Sequence, residues 1–210
     1  VNNGSCDVIV DYLNSLHNED KIQEVIHTTN VGKLNAVLKG ISGNNFPLIT
    51  VSDADVLFLN GWQESSYAVF DAFPKAGAVC PTPSSRSLRT YTANIYWDLL
   101  FTNKIKFTSV VNPDALKMFG LSVGDANFYN QVQLKKYLTV NYEGKQAVVG
   151  AGHFVATYRA EVFDNFKNRF TGYKLGGDSE RLFLDVPVVK KGLWRLSTAD
   201  NYAYHMGNVI

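Results

Sequence analysis

Residues 46–59 read Phe46-Pro-Leu-Ile-Thr-Val-Ser-Asp-Ala-Asp-Val-Leu-Phe-Leu59. The run that ends at Val51 is compact and β-rich, which predicts a buried parallel strand. Asp53 and Asp55 follow this strand directly, before apolar residues resume. Two carboxylates spaced i and i+2 in such a turn can point into one cleft, and carboxylate oxygens suit Mg²⁺ and Mn²⁺. An ordinary acidic turn is the alternative, because an Asp-x-Asp triplet alone is a weak signal.

Helices and strands alternate along the first 80 residues. Their apolar spacing predicts helices at 7–17, 31–41 and 62–73 and further strands at 21–28 and 76–80. This alternation predicts βαβ units and an α/β fold with a mixed, mainly parallel sheet flanked by helices. Ligands gather beyond the carboxyl ends of such strands, where Asp53 and Asp55 fall.

The chain beyond residue 83 is less regular. Residues 84–145 show no clear period outside a predicted helix at 92–101, and we interpret them as a variable insertion or cap. The later segments give an ordered, Gly-rich and then apolar run at 148–156, and predicted elements at 160–166 (helix), 178–189 (helix ended or kinked by Pro187) and 192–196 (strand).

Composition limits the classes of function. Hydrophobic residues make up 46% of the chain and charged residues 19%, which supports a sizeable buried core. A net charge of +1 provides no global field toward nucleic acid, so we expect no nucleic-acid partner. No apolar run reaches the ~20 residues of a membrane span. Cys6 and Cys80 predict two buried free thiols in a reducing compartment, with a disulfide as the less favoured alternative.

Two further motifs place polar groups at element ends. In Asn30-Val-Gly32-Lys33, the glycine allows close backbone approach and a helix N-terminus attracts phosphate, although a capping Asn beside a solvated Lys fits equally well. In Gly176-Gly-Asp-Ser-Glu180, glycines ahead of an acidic pair allow a tight loop that presents a carboxylate. Its Asp178 is alternatively a helix cap paired with Arg181. His205 stands among aromatic residues, where a lone histidine is usually structural.

Taken in order, these motifs resemble glycosyltransferase family 2 and its GT-A relatives. The resemblance covers almost the whole chain except residues 84–145. The matching segments are Asn2-Asn3-Gly4-Ser5, Asn30 to Gly40, Asp53-Ala-Asp55, Gly150-Ala-Gly152-His153, Gly177-Asp178-Ser-Glu180 and His205. It implies a GT-A domain over residues 1–210, with a nucleotide-sugar-binding half at 1–83 and an acceptor and catalytic half at 146–210.

The resemblance also implies roles for single residues. Asn2 and Asn3 fall where the family holds the nucleotide base, and Asn30, Gly32 and Lys33 fall near the nucleotide or its phosphates. The metal-side positions are Asp53 (ribose or metal), Asp55 (metal ligand) and His205 (a further metal ligand).

The second half carries the implied acceptor and catalytic positions. Asp178 falls on the family's general base, and Glu180 would support it. Gly152 and His153 fall on the acceptor side. Together these positions imply inverting, Mn²⁺- or Mg²⁺-dependent transfer from a UDP- or GDP-linked sugar, hexosyltransferase-like, to a glycan or lipid-linked acceptor.

Such a reaction belongs to cell-surface glycan or polysaccharide synthesis. We expect a cytoplasmic protein without a transmembrane segment, with peripheral association at the inner face of the membrane as a possible location. The family's first strand and helix are missing before Val1, and we expect truncation or disorder there.

Two departures keep alternatives open. Asn stands at the first acidic position of the base-binding turn, and Gly177 replaces an acidic residue before Asp178. A sugar-1-phosphate nucleotidyltransferase shares the α/β layout, and a non-catalytic nucleotide- or carbohydrate-binding module derived from this fold would tolerate both changes.

Overall fold

The computed structural model describes residues 1–164, 170–172 and 179–207. Its helices are α1 (Asp7–Asn18), α2 (Lys33–Ile41), α3 (Trp62–Ala72), α4 (Ala93–Leu99), α5 (Pro113–Ser122) and α6 (Val186–Lys190). Its strands are β1 (Asn2–Asn3), β2 (His27–Thr28), β3 (Leu48–Ser52), β4 (Val56–Phe58), β5 (Ala76–Cys80), β6 (Ile105–Ser109), β7 (Lys136–Tyr142), β8 (Lys145–Val149), β9 (Val155–Arg159), β10 (Trp194–Ser197) and β11 (Ala203–His205).

A seven-stranded mixed sheet forms the centre, in the order β3-β9-β5-β10-β8-β7-β6. Two small two-stranded sheets lie beside it, β1 with β2 and β4 with β11. Helices α3 and α4 contribute to one apolar cluster with β7, and α2 and α6 contribute to a second cluster with β9. The predicted α/β class, a mixed sheet flanked by helices, is therefore confirmed.

The expected majority of parallel pairs is not found among the described strands of this sheet. Only β5 and β10 pair in parallel there, and the remaining neighbours are antiparallel. Strand β3 lies at the sheet edge, antiparallel to β9, and only Val51 of it is buried. The prediction of a buried parallel strand is wrong there. Leu48 packs against one apolar cluster and Ile49 and Val51 pack against the other, but the strand lies at the sheet edge and most of its side chains stay partly exposed.

Residues 84–145 contain regular structure that their sequence pattern does not reveal. Strands β6 and β7 join the central sheet, and α5 lies between them. Strand β7 is buried continuously from Tyr137 to Val140, so its residues show no alternation. A two-residue turn with positive φ at Glu143 and Gly144 joins it to β8, which is the geometry that matches strand twist. The boundaries of the three predicted parts stay a prediction.

Several smaller expectations change. The strand predicted at 21–28 is confined to His27–Thr28, and the helix predicted at 160–166 is a 3₁₀ turn at Ala160–Phe163 before undescribed residues. The helix predicted at 178–189 is helical from residue 179, and a π-helical segment at Arg181–Asp185 leads directly into α6. Pro187 lies in the first turn of α6 and does not end this run, which continues to Lys190. Cys80 is buried as expected, but Cys6 is exposed, and both thiols are free.

Candidate functional site

A cleft of about 790 Å³ opens between α2 and the carboxyl end of β3. We call it the donor cleft, after the donor-binding roles that the resemblance implies for several of its lining residues. Five polar residues that the sequence singled out line it, namely Asn3, Lys33, Asp53, Asp55 and Glu180. They come from segments far apart in the chain, and the fold brings them to one edge of the sheet.

Lys33 is the central cation of the donor cleft. Its ammonium lies 2.5 Å from Oδ1 of Asp53 and forms a second ion pair with Oε1 of Glu180. Burial disfavours the charge, but the two carboxylates outweigh it and raise the pKa of Lys33. Lys33 therefore stays charged and holds both carboxylates at the mouth of the cleft.

Asp55 and His205 meet because β4 and β11 pair with Val56 opposite His205. Oδ2 of Asp55 lies 3.4 Å from Nε2 of His205. The Gly207 N–H donates to Nδ1 of His205, so the ring proton of the neutral imidazole is on Nε2, facing Asp55. His205 orients the Asp55 carboxylate in this arrangement, and ligating a metal through Nε2 would require breaking the Gly207 contact.

The described residues fit a divalent cation in part. Asp55 offers a partly exposed carboxylate in the cleft, whereas Asp53 is engaged by Lys33. Within the described ranges, no three His, Cys, Asp or Glu side chains are grouped to hold a metal ion. A magnesium-type ion can rely on one or two protein carboxylates, with substrate phosphates and water supplying the other ligands.

The asparagines near the donor cleft have different surroundings. Asn3 lines the cleft, and its Oδ1 accepts from the Val31 N–H at 2.9 Å. Its Nδ2 donates to Asn30, whose oxygen also accepts from the Gly32 N–H. These bonds bring Asn3, Asn30 and Gly32 together beside the start of α2.

Asn2 is not brought to the cleft. It is buried, its Oδ1 accepts from the Ser5 N–H, and its Nδ2 contacts His27 at 3.0 Å. Both ends of its side chain therefore have partners within the fold.

A second cleft of about 400 Å³ is lined in part by the loop that joins β8 to β9. We call it the acceptor-side cleft, because Gly152 and His153, which the resemblance assigns to the acceptor side, both line it. Gly150 starts this loop with φ of 100°, and a Cβ there would lie 2.5 Å from the Ser87 carbonyl oxygen. Glycine is required for this close approach.

His153 lies between the two clefts. Its Nε2 is 3.5 Å from Oε2 of Glu180, and its Nδ1 is 3.5 Å from Oδ2 of Asp185. The pKa of His153 is raised, mainly because Asp185 favours the protonated ring. Burial acts in the opposite direction, and the charge of Glu180 adds to the effect of Asp185. Asp185 in turn lies 2.7 Å from Nη2 of Arg195, and both of these side chains are 1% exposed.

These contacts form a continuous line of alternating charge. We call it the charge chain, and its members are Asp53, Lys33, Glu180, His153, Asp185 and Arg195. The charge chain therefore runs from the donor cleft, which Asp53, Lys33 and Glu180 line, to the acceptor-side cleft, which His153 lines.

The comparison with protein families decides the identity of the fold. The model for Glycosyl transferase family 2 matches residues 1–162 of the 210. The chain belongs to glycosyl transferase family 2. The match runs through residues 84–145, which we expected to lie outside the resemblance, and ends before Glu180. No curated protein and no solved structure gives a significant match.

Membership of family 2 implies the GT-A fold, together with binding of a nucleotide-sugar donor and an acceptor. Members of this family often use divalent metals. None of the helices in the described ranges is long and apolar enough to cross a membrane.

One predicted site residue of this family 2 glycosyltransferase cannot be placed. Asp178, with Gly177 before it, lies outside the described residues. Glu180 is described, and it lines the donor cleft. The base position therefore stays a prediction from the resemblance.

Sequence reasoning missed Asp185 and Arg195. Arg195 donates to the carbonyl oxygens of Thr90 and Ala151, so it ties together two loops beside the acceptor-side cleft. The available signal was an arginine inside the apolar strand Trp194–Ser197, since a buried arginine needs a carboxylate or several carbonyl partners.

Proposed function

We propose that this glycosyltransferase moves a sugar from a UDP- or GDP-linked donor to a hydroxyl acceptor, with inversion and with Mn²⁺ or Mg²⁺. The observation that supports this most is the convergence of Asn3, Lys33, Asp53, Asp55 and Glu180 on one cleft. Carboxylates and an ammonium in one cleft suit a diphosphate and its divalent counter-ion.

In the donor cleft, the Asn3 side chain and the Asn30–Gly32 segment before α2 would hold the nucleoside. Asp53 would contact the ribose or the metal, and Asp55 would be a metal ligand oriented by His205. A bound divalent cation neutralises negative charge that develops on the departing diphosphate. Lys33 supplies a fixed positive charge for the same leaving group, held in place by Asp53 and Glu180.

The transfer step needs a base for the acceptor hydroxyl. We assign this role to Asp178, whose carboxylate would take the hydroxyl proton as the oxygen attacks the anomeric carbon. The bond from that carbon to the diphosphate oxygen breaks on the opposite face, and the nucleoside diphosphate leaves with its electron pair. Glu180 follows two residues later and supports the geometry from the wall of the donor cleft.

The acceptor-side cleft is the proposed acceptor site. It adjoins the donor cleft through His153, which touches Glu180. Four aromatic side chains line it, Phe119, Phe128, Tyr129 and Phe154, and aromatic faces can stack on sugar rings. A glycan or lipid-linked acceptor placed there would present its hydroxyl toward the donor.

We also propose that the protein is cytoplasmic and works at the inner face of the membrane, in cell-surface glycan or polysaccharide synthesis. Trp97, Leu100 and Phe101 follow one another at helical spacing and are 76%, 55% and 98% exposed. Lys104 follows three residues after Phe101, and its ammonium lies over the Tyr142 ring, 4.0 Å from the ring centroid. Exposed aromatic and basic side chains are typical of interfacial binding.

Cosedimentation with phosphatidylglycerol-containing vesicles tests this surface. Sedimentation of Trp97→Ser/Phe101→Ser equal to that of the wild type would exclude it.

A thermal-shift screen tests the donor assignment, using UDP- and GDP-sugars with and without Mn²⁺. We expect one donor to raise the melting temperature only when Mn²⁺ is present. Donor hydrolysis and transfer assays on that donor then separate turnover from binding. Binding without turnover by the wild type would favour a non-catalytic module, and full turnover by Asp178→Asn would exclude Asp178 as the base.

A further inference from the structure

The two clefts differ in the charge of their lining residues. Three carboxylates and one ammonium line the donor cleft, from Asp53, Asp55, Glu180 and Lys33. The described lining of the acceptor-side cleft contains Arg86 and His153 but no Asp, Glu, Asn or Gln. The second cleft therefore offers a cation and lacks the side-chain carboxylates and amides that accept hydrogen bonds from neutral sugars.

Arg86 carries the uncompensated charge of the acceptor-side cleft. The charge chain is formally neutral when His153 is protonated, since three cations alternate with three carboxylates. Arg86 stands outside that chain, and its guanidinium forms no ion pair with a carboxylate among the described residues. Arg86 is exposed, so its guanidinium is hydrated in the free protein and accessible to a ligand anion.

The position of the Arg86 guanidinium is fixed by the cleft wall. It stacks on the Phe128 ring with its central carbon 4.1 Å from the ring centroid. Its Nη1 donates to the Phe128 carbonyl oxygen at 2.8 Å. That bond uses one of five N–H donors, so a preorganised fork remains for a planar or tetrahedral oxyanion.

The rest of the cleft suits a sugar ring beside that anion. The rings of Phe119, Phe128 and Phe154 provide apolar faces, and Tyr129 is held by its hydroxyl, which donates to Ser84 at 3.0 Å. The hydroxyls of Thr82 and Ser87 also line the cleft.

We propose that this cleft selects an acceptor that carries an oxyanion, either the carboxylate of a uronic acid or a phosphate attached to the sugar, and that Arg86 binds this oxyanion. The role of the ligand as an acceptor rests on the proposed function. The oxyanion preference itself rests on the lining residues.

The test compares glucose, glucuronic acid and glucose 6-phosphate, which share one ring. Their affinities for the wild-type protein are measured by ligand-observed NMR titration without nucleotide, at low salt. We expect at least one of the two anions to bind about tenfold or more tightly than glucose, because charge-assisted bonds to a guanidinium are strong. The tighter anion identifies the source, carboxylate or phosphate.

Variants assign the preference to a residue. Arg86→Ala is expected to remove the preference for the anion over glucose. Arg86→Lys is expected to weaken it, since lysine keeps the charge but loses the forked pair of N–H donors. Arg89→Ala is the matched control, because Arg89 is an exposed arginine at the end of the 3₁₀ turn Ser87–Arg89, which directly follows Arg86, and it does not line the cleft. Circular dichroism and melting temperature confirm that each variant is folded.

Equal affinity for glucose and both anions, or no binding of either anion, would overturn the proposal. An undiminished preference in folded Arg86→Ala would overturn it as well. Failure of the donor assignment is a separate result, because it appears as the absence of Mn²⁺-dependent nucleotide-sugar binding in the other cleft.

Discussion

The Lys33 ammonium lies 2.5 Å from Oδ1 of Asp53 and also pairs with Glu180, although Glu180 is 147 residues further along the chain. One cation therefore joins the turn after β3 to the segment that follows the predicted base. In the proposed reaction this cation faces the diphosphate, and its two carboxylates keep it charged and in position.

Replacing Lys33 tests this arrangement. We expect Lys33→Ala to weaken nucleotide-sugar binding roughly tenfold, because a charge-assisted contact to phosphate is lost. Lys39→Ala serves as the control, since Lys39 is exposed in the last turn of the same helix. Isothermal titration with donor and Mn²⁺ measures both variants, and equal affinities would exclude contact between Lys33 and the donor phosphates.

Much of the donor cleft could be predicted from sequence. Asp53 and Asp55 follow a strand and Lys33 starts a helix, and local patterns show such element ends. Contacts between distant segments could not be predicted. The Asp185–Arg195 pair depends on the packing of α6 against β10. Strands β6 and β7 belong to the central sheet although their sequences show no strand periodicity.

The pKa of His153 predicts a pH-dependent stability. Asp185 raises the pKa of His153 above the ordinary value of 6.5. The stabilisation of the folded state by protonated His153 is therefore fully present below pH 6.5 and is lost as pH rises through the folded pKa. The stability advantage of wild type over His153→Gln should therefore be larger at about pH 5.5 than at about pH 8.5. The side chain is 40% exposed, so solvent screening limits the difference to about 1 kcal/mol.

Urea unfolding at both pH values measures the stability difference between wild type and His153→Gln. The same comparison is then made between Asp185→Asn and Asp185→Asn/His153→Gln. The pH dependence due to His153 should shrink when the Asp185 charge is gone. An advantage that grows with rising pH would have the wrong sign for a raised pKa.

The buried Asp185–Arg195 pair predicts a large single-mutant effect. Arg195→Met leaves a carboxylate at 1% exposure without its guanidinium and also removes bonds to Thr90 and Ala151. We expect a loss of about 3–5 kcal/mol in the free energy of unfolding. Asp185→Leu/Arg195→Met should cost less than the sum of the two single changes, as equilibrium denaturation can show. Additive costs would mean that the pair is not coupled.

The two cysteines predict different reactivities. Complete burial raises the pKa of Cys80 to about 11, so about one thiol in a thousand is ionised near pH 8. Cys6 is exposed. A disulfide reagent should therefore modify Cys6 rapidly and Cys80 only after denaturation, as mass spectrometry of the labelled protein can follow. Rapid double labelling of folded protein would show that Cys80 is accessible.

The most direct test of the donor-site assignment is the Mn²⁺ dependence of nucleotide-sugar affinity in wild type, Asp55→Ala and Asp71→Ala, by isothermal titration. Asp71 is an exposed aspartate on α3, away from the donor cleft. We predict that Mn²⁺ tightens donor binding to wild type and Asp71→Ala, and that this gain disappears in Asp55→Ala. An undiminished Mn²⁺ effect in folded Asp55→Ala would contradict the placement of the metal and donor site at the end of β3.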